Sequence, residues 1–306
     1  MNSLSMGKYR PAVILTLALT VFLASCTGTS TTKSWVVSTF AGTGRAGAAD
    51  TSAPGVSPVV AAQFDNPFGV AVDSSGNIYV ADKDNHLIRK ITSEGVVSTF
   101  AGDGTTALFN NPFGVAVDSS GNVYVADCNN NRIRKITKAG AVSTLAGSGI
   151  VGFVDGAGDE AQFNAPFGVA VDSSDNVYVA DSFNNCIRKI TLKTNFKPDA
   201  EEDEVTVSTL AGNGGARGGH HDATGEAAQF DYPMGVAVDS SGNVYVTDWR
   251  NDRIRKITSE GVVSTFAGDG DTTRFDGPFG VAVDSCGKNL YVADSANNRI
   301  RKIEYK

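Results

Sequence analysis

The residues most able to support catalysis in this chain are its three histidines, His86, His220 and His221. Two of them stand in the run His220-His221-Asp222, where three potential metal ligands are adjacent. Zinc sites normally draw three or four ligands from positions that can surround the ion. Because no further partner stands at ligand spacing, a solvated loop is the favoured interpretation and a metal site is the alternative. The sequence therefore predicts no metal and no cofactor.

Patterns typical of nucleophilic and phosphate chemistry do not occur in the sequence. There is no nucleophile elbow. The glycine-rich stretch 212–219 follows a predicted strand but leads to no predicted helix, which a phosphate-binding loop requires. The lack of these patterns in the sequence favours a binding or structural protein over an enzyme.

A repeated sequence phrase predicts the strands and turns that would position any functional site. Five copies of Pro-x-Gly-Val-Ala-Val-Asp place their glycines at 69, 114, 168, 235 and 280, at intervals of 45, 54, 67 and 45 residues. Within each copy, short runs alternate apolar with small or polar residues between Gly and Asn punctuation, which predicts hairpin-linked antiparallel strands. We name these strands a to d. The a–b turns need a positive φ, which Gly76, Gly121 and Gly242 adopt easily and Asp175 tolerates.

Five such sheets in a ring predict an all-β fold, a five-bladed β-propeller of four-stranded antiparallel blades spanning residues 36–306. The last copy ends after strand c. The missing strand d phrase stands at residues 36–42, so the N-terminal strand is predicted to complete the last blade and remove its open edge.

The Asn-x-x-Ile phrase, spelled Asn85-His86-Leu87-Ile88 in the first copy, resembles the NHL repeat. The resemblance implies a propeller fold; similar propellers serve as RNA readers, sensor ectodomains, docking platforms and a few lyases. NHL-like amidating lyases hold zinc with histidines from separate blades, and lactonase-type propellers need axial carboxylates. Neither pattern is present, so the chain is predicted not to be an enzyme, with a lyase or lactonase as the alternative and a purely structural envelope scaffold as a third possibility.

The first 26 residues resemble a bacterial lipoprotein signal. Lys8 and Arg10 precede an apolar run that ends in Leu-Ala-Ser-Cys at position 26. We expect residues 1–25 to be a signal peptide, Cys26 to be acylated, and 26–35 to tether the propeller to a membrane outside the cytoplasm. An ordinary secretory signal containing Cys is the alternative. Chain polarity predicts that the tether enters on the face of the c–d turns.

Charge argues against nucleic acid as a partner. Cleavage before Cys26 would change the formal charge from −7 to −9. The Arg-Lys pairs of strand c recur in every copy and are matched by repeated Asp, so they are predicted to be structural pairs instead of a basic face. Three further cysteines, Cys128, Cys186 and Cys286, occupy different repeat positions, and a bridge between the first two is left open.

One bulky position at the start of strand a admits two interpretations. It holds Phe68, Phe113, Phe167, Met234 and Phe279. The favoured interpretation is core packing, in which these large groups fit against the small residues of the next blade. The alternative is an apolar collar at the mouth of the central channel.

Positions that differ from copy to copy are free to carry recognition, because the constant positions build the frame. The b–c links and the uneven d–a links share one face. The candidate binding residues on it are Trp249, Arg250, Phe183, Lys83, Asp84, His220 and His221. Trp and Arg dominate many protein interfaces. The expected partner is an unknown protein, peptide or glycan, with the membrane reached through the N-terminal lipid.

Overall fold

The computed structural model describes residues 38–51, 61–193, 204–215, 218–268, 274–284 and 287–304. Within these ranges, antiparallel sheets follow one another around a ring, one for each sequence repeat. The predicted five-bladed propeller is confirmed. Along the same ranges, no helix combines the length and apolarity needed to cross a membrane.

In blades one to four the strands appear in the order a, b, c, d from the axis outward, and blade five shows a, b and c within the described ranges. Blade three gains a further short strand, β9, on its outer edge. The bounds are β1 (Pro67–Val72), β2 (Ile78–Asp82), β3 (Leu87–Ile91) and β4 (Val97–Ala101) in blade one; β5 (Pro112–Val117), β6 (Val123–Asp127), β7 (Arg132–Ile136) and β8 (Val142–Ala146) in blade two; β9 (Gly156–Ala157), β10 (Pro166–Val171), β11 (Val177–Asp181), β12 (Cys186–Lys193) and β13 (Glu204–Ala211) in blade three; β14 (Pro233–Val238), β15 (Val244–Asp248), β16 (Arg253–Ile257) and β17 (Val263–Ala267) in blade four; and β18 (Pro278–Val283), β19 (Asn289–Asp294) and β20 (Arg299–Glu304) in blade five.

The a–b turns show why the Asp-Ser-Ser-Gly-Asn phrase recurs. In blade one, Asp73 Oδ1 accepts the backbone N–H groups of Ser75 and Asn77, both at 2.9 Å. Its other oxygen accepts the Asn77 amide at 2.8 Å and the Tyr79 hydroxyl at 3.3 Å. Gly76 has φ +81°, as predicted for the turn tip. A short side chain therefore satisfies the backbone that the turn leaves unpaired.

Strand c of every blade carries an arginine that pairs with the Asp ending strand b, which confirms the structural interpretation for the arginine of each Arg-Lys pair. Arg188 and Asp181 are both fully buried and meet at 2.9 Å. Asp181 also accepts the Asn164 backbone N–H and the Asn184 amide, each at 2.8 Å. The corresponding pairs are Arg89–Asp82, Arg134–Asp127, Arg255–Asp248 and Arg301–Asp294.

The core lies between blades, where large residues of one sheet pack on small residues of the next. Four apolar clusters join blades one to two, two to three, three to four and four to five. The inner strands approach so closely that a Cβ at Gly114 would lie 2.9 Å from Val169 N and 3.1 Å from Gly168 Cα. Glycine is thus required there by backbone contact between blades.

The junction between blades five and one is built differently. Phe279 and Phe68 meet with ring centroids 5.0 Å apart, but β18 and β1 approach each other at fewer positions than the other inner strands do. Blade five has three strands in the described ranges, and residues 38–41, predicted as part of strand d, form no strand. Phe40 and Ile300 are exposed. Val36 and Val37 lie outside the described residues, so completion of the last blade by the N-terminus stays a prediction.

Candidate binding face

The b–c turns and the d–a links lie on one face, as predicted, and we call it the loop-rich face. In blades one to four each b–c turn is a short 3-10 helix, and in every blade a backbone N–H of this turn donates to a carbonyl just before strand a of the same blade. In blade three, Phe183 N donates to Asn164 O at 3.2 Å. The 3-10 turns are Lys83–Asn85, Cys128–Asn130, Ser182–Asn184 and Trp249–Asn251.

Four of the five bulky residues at the start of strand a contact one another from blade to blade, as expected for a collar, while Phe113 and Met234 are also buried, as expected for core packing. The Phe68 ring lies 4.5 Å from that of Phe113, and Phe113 lies 4.2 Å from Phe167. A bulge in the a–b pairing between Pro67 and Val70 interrupts the strict alternation of faces and lets these side chains contact their counterparts in the next blade. The valines after the bulge do pack between blades.

Three of the predicted residues, Phe183, Trp249 and Arg250, lie together around Tyr232. Ring centroids of Phe183 and Tyr232 are 5.2 Å apart, and those of Tyr232 and Trp249 are 6.2 Å apart. The Arg250 guanidinium carbon lies 3.9 Å from the Tyr232 ring centroid, a favourable cation–π distance. Phe183 is 46% exposed and the Arg250 side chain 50% exposed. We call these four residues the aromatic cluster.

Tyr232 was missed from the sequence because it stands inside the frame, directly before the Pro of strand a. The equivalent positions hold Asn66, Asn111, Ala165 and Gly277, and all five adopt positive φ; Tyr232 has φ +53°. Bulky side chains rarely adopt this left-handed region. Its departure from small residues at a conformationally demanding position was the signal that could have found it.

Lys83 and Asp84 lie on blade one and build a polar part of the same face. Lys83 Nζ lies 2.7 Å from Asp84 Oδ1 and 5.4 Å from the centroid of the Phe113 ring. Asp84 accepts the amides of Asn66 at 3.0 Å and Asn111 at 3.2 Å, which links blades one and two. These two residues are therefore adjacent to the collar instead of the aromatic cluster.

His220 and His221 lie in the d–a link before blade four, with exposed side chains. The backbone of this link has a structural role, since His221 O accepts a hydrogen bond from the Arg255 guanidinium at 3.3 Å. The neighbouring Asp222 accepts the Thr265 N–H at 2.8 Å. Burial raises the pKa of Asp222, but hydrogen bonds from Thr265 and Arg255 outweigh it and lower that pKa overall. In the part of the chain that the structure describes, no three His, Cys, Asp or Glu side chains are arranged to hold a metal ion.

The remaining predicted groups have structural positions. His86 Nδ1 accepts the Asn111 N–H at 3.1 Å and so joins two blades. Cys128 and Cys186 are buried and not bridged to each other, and burial raises the pKa of the Cys128 thiol to about 12. A buried, protonated thiol is a poor nucleophile. Cys26 and Cys286 lie outside the described residues.

The repeats identify the family of this chain. The NHL repeat model matches residues 64–91, 109–136, 163–190, 230–257 and 275–303, one match in each blade. The chain belongs to the NHL-repeat family. It is similar to Protein SUPPRESSOR OF QUENCHING 1, chloroplastic, from Arabidopsis thaliana, with 35% identity over 105 residues, which are 34% of this chain and 9% of that protein.

Solved structures share the propeller fold at low identity. An auxiliary nutrient-binding protein from Bacteroides thetaiotaomicron VPI-5482 matches with a TM-score of 0.61 and 17% identity, over 78% of this chain and 59% of that one. Virginiamycin B lyase from Staphylococcus aureus matches with a TM-score of 0.50 and 17% identity, over 78% of this chain and 69% of that one. At these identities the likeness concerns the fold alone.

Proposed function

We propose that this chain is a lipid-anchored, extracytoplasmic binding module that contacts a protein, peptide or glycan through its loop-rich face. The observation that carries the binding role is the aromatic cluster. Phe183, Tyr232 and Trp249 present adjoining rings at the surface with the Arg250 guanidinium beside them. Aromatic and Arg side chains are the types that most often dominate interfaces.

The conformation of Tyr232 supports the same proposal. A tyrosine at φ +53° costs free energy that Asn66, Asn111 and Gly277 largely avoid, and Ala165 at φ +49° bears a similar cost with a much smaller side chain. Such strain typically persists where the side chain has a function. Its N–H donates to Asn185 Oδ1 at 2.8 Å, so the preceding blade holds the strained backbone in place.

The comparisons are compatible with binding and give no direct evidence for or against catalysis. One structural neighbour is by its printed name a nutrient-binding protein, and another is a lyase. Among the described residues, no group of three His, Cys, Asp or Glu side chains could hold a metal ion, and Cys128 and Cys186 are buried. We therefore propose a non-catalytic role.

A crosslinking experiment in intact cells tests the binding role. A photoactivatable residue replaces Arg250 in one variant and Val262 in another; Val262 is 44% exposed but lies on a c–d turn of the opposite face. A discrete adduct should form from position 250 and disappear when Trp249→Ala is added. Equal adducts from both positions, or an adduct insensitive to Trp249→Ala, would contradict the proposed face.

The anchor is tested separately. Cys26→Ala should release the protein from the membrane fraction or leave the precursor unprocessed, because the acyl chains that hold it would be missing. Uptake of labelled fatty acid by the unmutated protein is the direct measurement. Absence of label would remove the lipoprotein part of the proposal and leave the binding part standing.

A further inference from the structure

Exposed apolar side chains concentrate on one edge of blade three. Of the eight large hydrophobic residues exposed in the described ranges, five belong to its d–a link or its b–c turn. Ile150, Val151 and Val154 are 63%, 59% and 42% exposed. We call these three residues the blade-three crest. Phe153, between them, instead packs over Gly214 and the Arg188 guanidinium.

The link that carries the crest is one of three built on the same frame. Gly47 O, Gly152 O and Gly219 O accept the amides of Asn85, Asn184 and Asn251 at 2.7, 2.7 and 2.6 Å. Blades one, three and four thus share this frame.

Comparison within the frame shows that blade one forms the same link contacts with smaller side chains at two crest positions. Blade one has Ala46 and Ala49 where blade three has Val151 and Val154. The carbonyls of Ala49 and Val154 accept the same contact from strand c arginines, at 3.1 and 2.8 Å. Large apolar groups are therefore an addition peculiar to blade three, and a cluster of such groups marks an interaction surface.

The crest is held rigidly next to the aromatic cluster. Asp155 accepts the Thr209 N–H at 2.8 Å and Arg188 Nε at 3.1 Å, which fixes the end of the link. Asn184, which holds Gly152 O, is the residue after Phe183. An ordered apolar surface loses little conformational entropy on binding.

The charge around the crest indicates the chemistry of the partner. The link from 148 to 163 contains Asp155, Asp159 and Glu160 and no Lys or Arg. Arg188 pairs with Asp155, and Arg132 donates to Ser148 O at 3.0 Å, which leaves Asp159 and Glu160 as an acidic excess at this edge. The side chains of Asp159 and Glu160 are exposed. They stand shortly before Gln162 in the chain, and the Gln162 N–H donates to the carbonyl of the crest residue Val154 at 3.1 Å. Basic groups on a partner would be attracted to this edge, and acidic ones repelled.

We infer that the blade-three crest binds a segment of a protein partner that carries apolar side chains flanked by Lys or Arg. The inference rests on the proposed binding function and names the chemistry of the partner. Ile150, Val151 and Val154 contact its apolar residues, and Asp159 and Glu160 face its basic ones.

A peptide pair tests the inference. The probe is a peptide of about 14 residues with Leu at helical i, i+3, i+4, i+7 spacing and Lys elsewhere; its twins replace Leu by Ser or Lys by Glu. The unmutated protein should bind the Leu/Lys peptide at least about tenfold more tightly than either twin. The variant Ile150→Ala, Val151→Ala, Val154→Ala should lose about tenfold, and Asp159→Asn, Glu160→Gln a smaller factor that vanishes at high salt.

Val262→Ala is the matched control, since it removes an equally exposed valine from the opposite face. It should bind the Leu/Lys peptide like the unmutated protein. Equal affinity of the triple alanine variant and the unmutated protein would overturn the inference. So would crest-dependent self-association in ultracentrifugation, or crest-dependent binding to phosphatidylcholine vesicles without peptide binding. A failed peptide test with an intact adduct from position 250 would overturn the crest and leave the proposed function in place.

Discussion

Removing the Asp155 carboxylate should destabilise the protein by about 2–3 kcal/mol, through the link that supports the crest. Asp155 makes an ion pair with Arg188, accepts Arg188 Nε at 3.1 Å and accepts the Thr209 N–H at 2.8 Å. Arg188 is fully buried, so Asp155→Ala leaves part of a buried guanidinium without its acceptor. Breaking a buried pair typically costs about 3–5 kcal/mol.

The expected cost is smaller than that because the pair is only half-buried. The Asp155 side chain is 41% exposed, so water can reach the donors that it vacates. Arg188 also keeps Asp181 and the carbonyls of Gln162 and Val154, at 2.9, 2.9 and 2.8 Å. The variant should still fold, because blade two has a short link and its strand c arginine, Arg134, is held by an ion pair with Asp127.

Thermal and urea unfolding measure the effect. For a domain of this size, about 2–3 kcal/mol corresponds to a fall in Tm of about 4–12 °C. Asp159→Ala is the control: it removes a carboxylate from the same link at an exposed position, and a change within about 0.5 kcal/mol is expected. If Asp155→Ala unfolds like Asp159→Ala, the clamp contributes nothing to stability and the reasoning about a rigid crest fails.

Three further predictions concern the frame. Gly114→Ala should cost about 3 kcal/mol because its Cβ would collide with the backbone of blade three, whereas Gly215→Ala, which meets only the Asn213 side chain, should cost less than 1 kcal/mol; equal urea midpoints would contradict the close packing. Deleting residues 27–42 should lower stability by at least about 2 kcal/mol by exposing a sheet edge, and an unchanged Tm would reject N-terminal closure. Burial raises the pKa of Asp239, but hydrogen bonds from Asn243, Ser241 and Tyr245 lower it overall, so its stabilisation is present above about pH 4 and lost as pH falls through the folded-state pKa. Asp239→Asn should therefore lose less stability than the unmutated protein between about pH 4 and 2, and parallel curves would refute this.

The blades and their turns could be predicted because their determinants are local and repeated. The Asp73 turn needs only residues within six positions, and the Arg188–Asp181 pair spans seven. Such short-range rules recur in every copy, so an error in one copy would be visible against the others. The same redundancy predicted the structural role of the strand c arginines, each of which pairs with the Asp that ends strand b.

The collar could not be predicted from alternation. A strand with period two places Phe68 and Val70 on one side, but the bulge between Pro67 and Val70 contains Phe68 and interrupts that alternation. No residue type in the repeated phrase predicts the bulge, since the glycine of the phrase, Gly69 in blade one, is equally explained by the close approach of the next blade. The ring contacts that define the collar are also between blades, at long sequence separation.

The candidate site is where the repeat frame and the residue types disagree. Tyr232 occupies a left-handed position that the other blades give to Asn, Ala or Gly, and Val151 and Val154 occupy exposed frame positions where blade one has alanine. Neither choice helps the frame, because the frame is complete without it in another blade of the same molecule. Both disagreements fall on the loop-rich face of adjacent blades, joined through the turn that carries Phe183 and Asn184. In a repeat protein each copy is thus a control for the others, and two independent departures that meet on one surface are better explained by a common partner than by drift in unrelated loops.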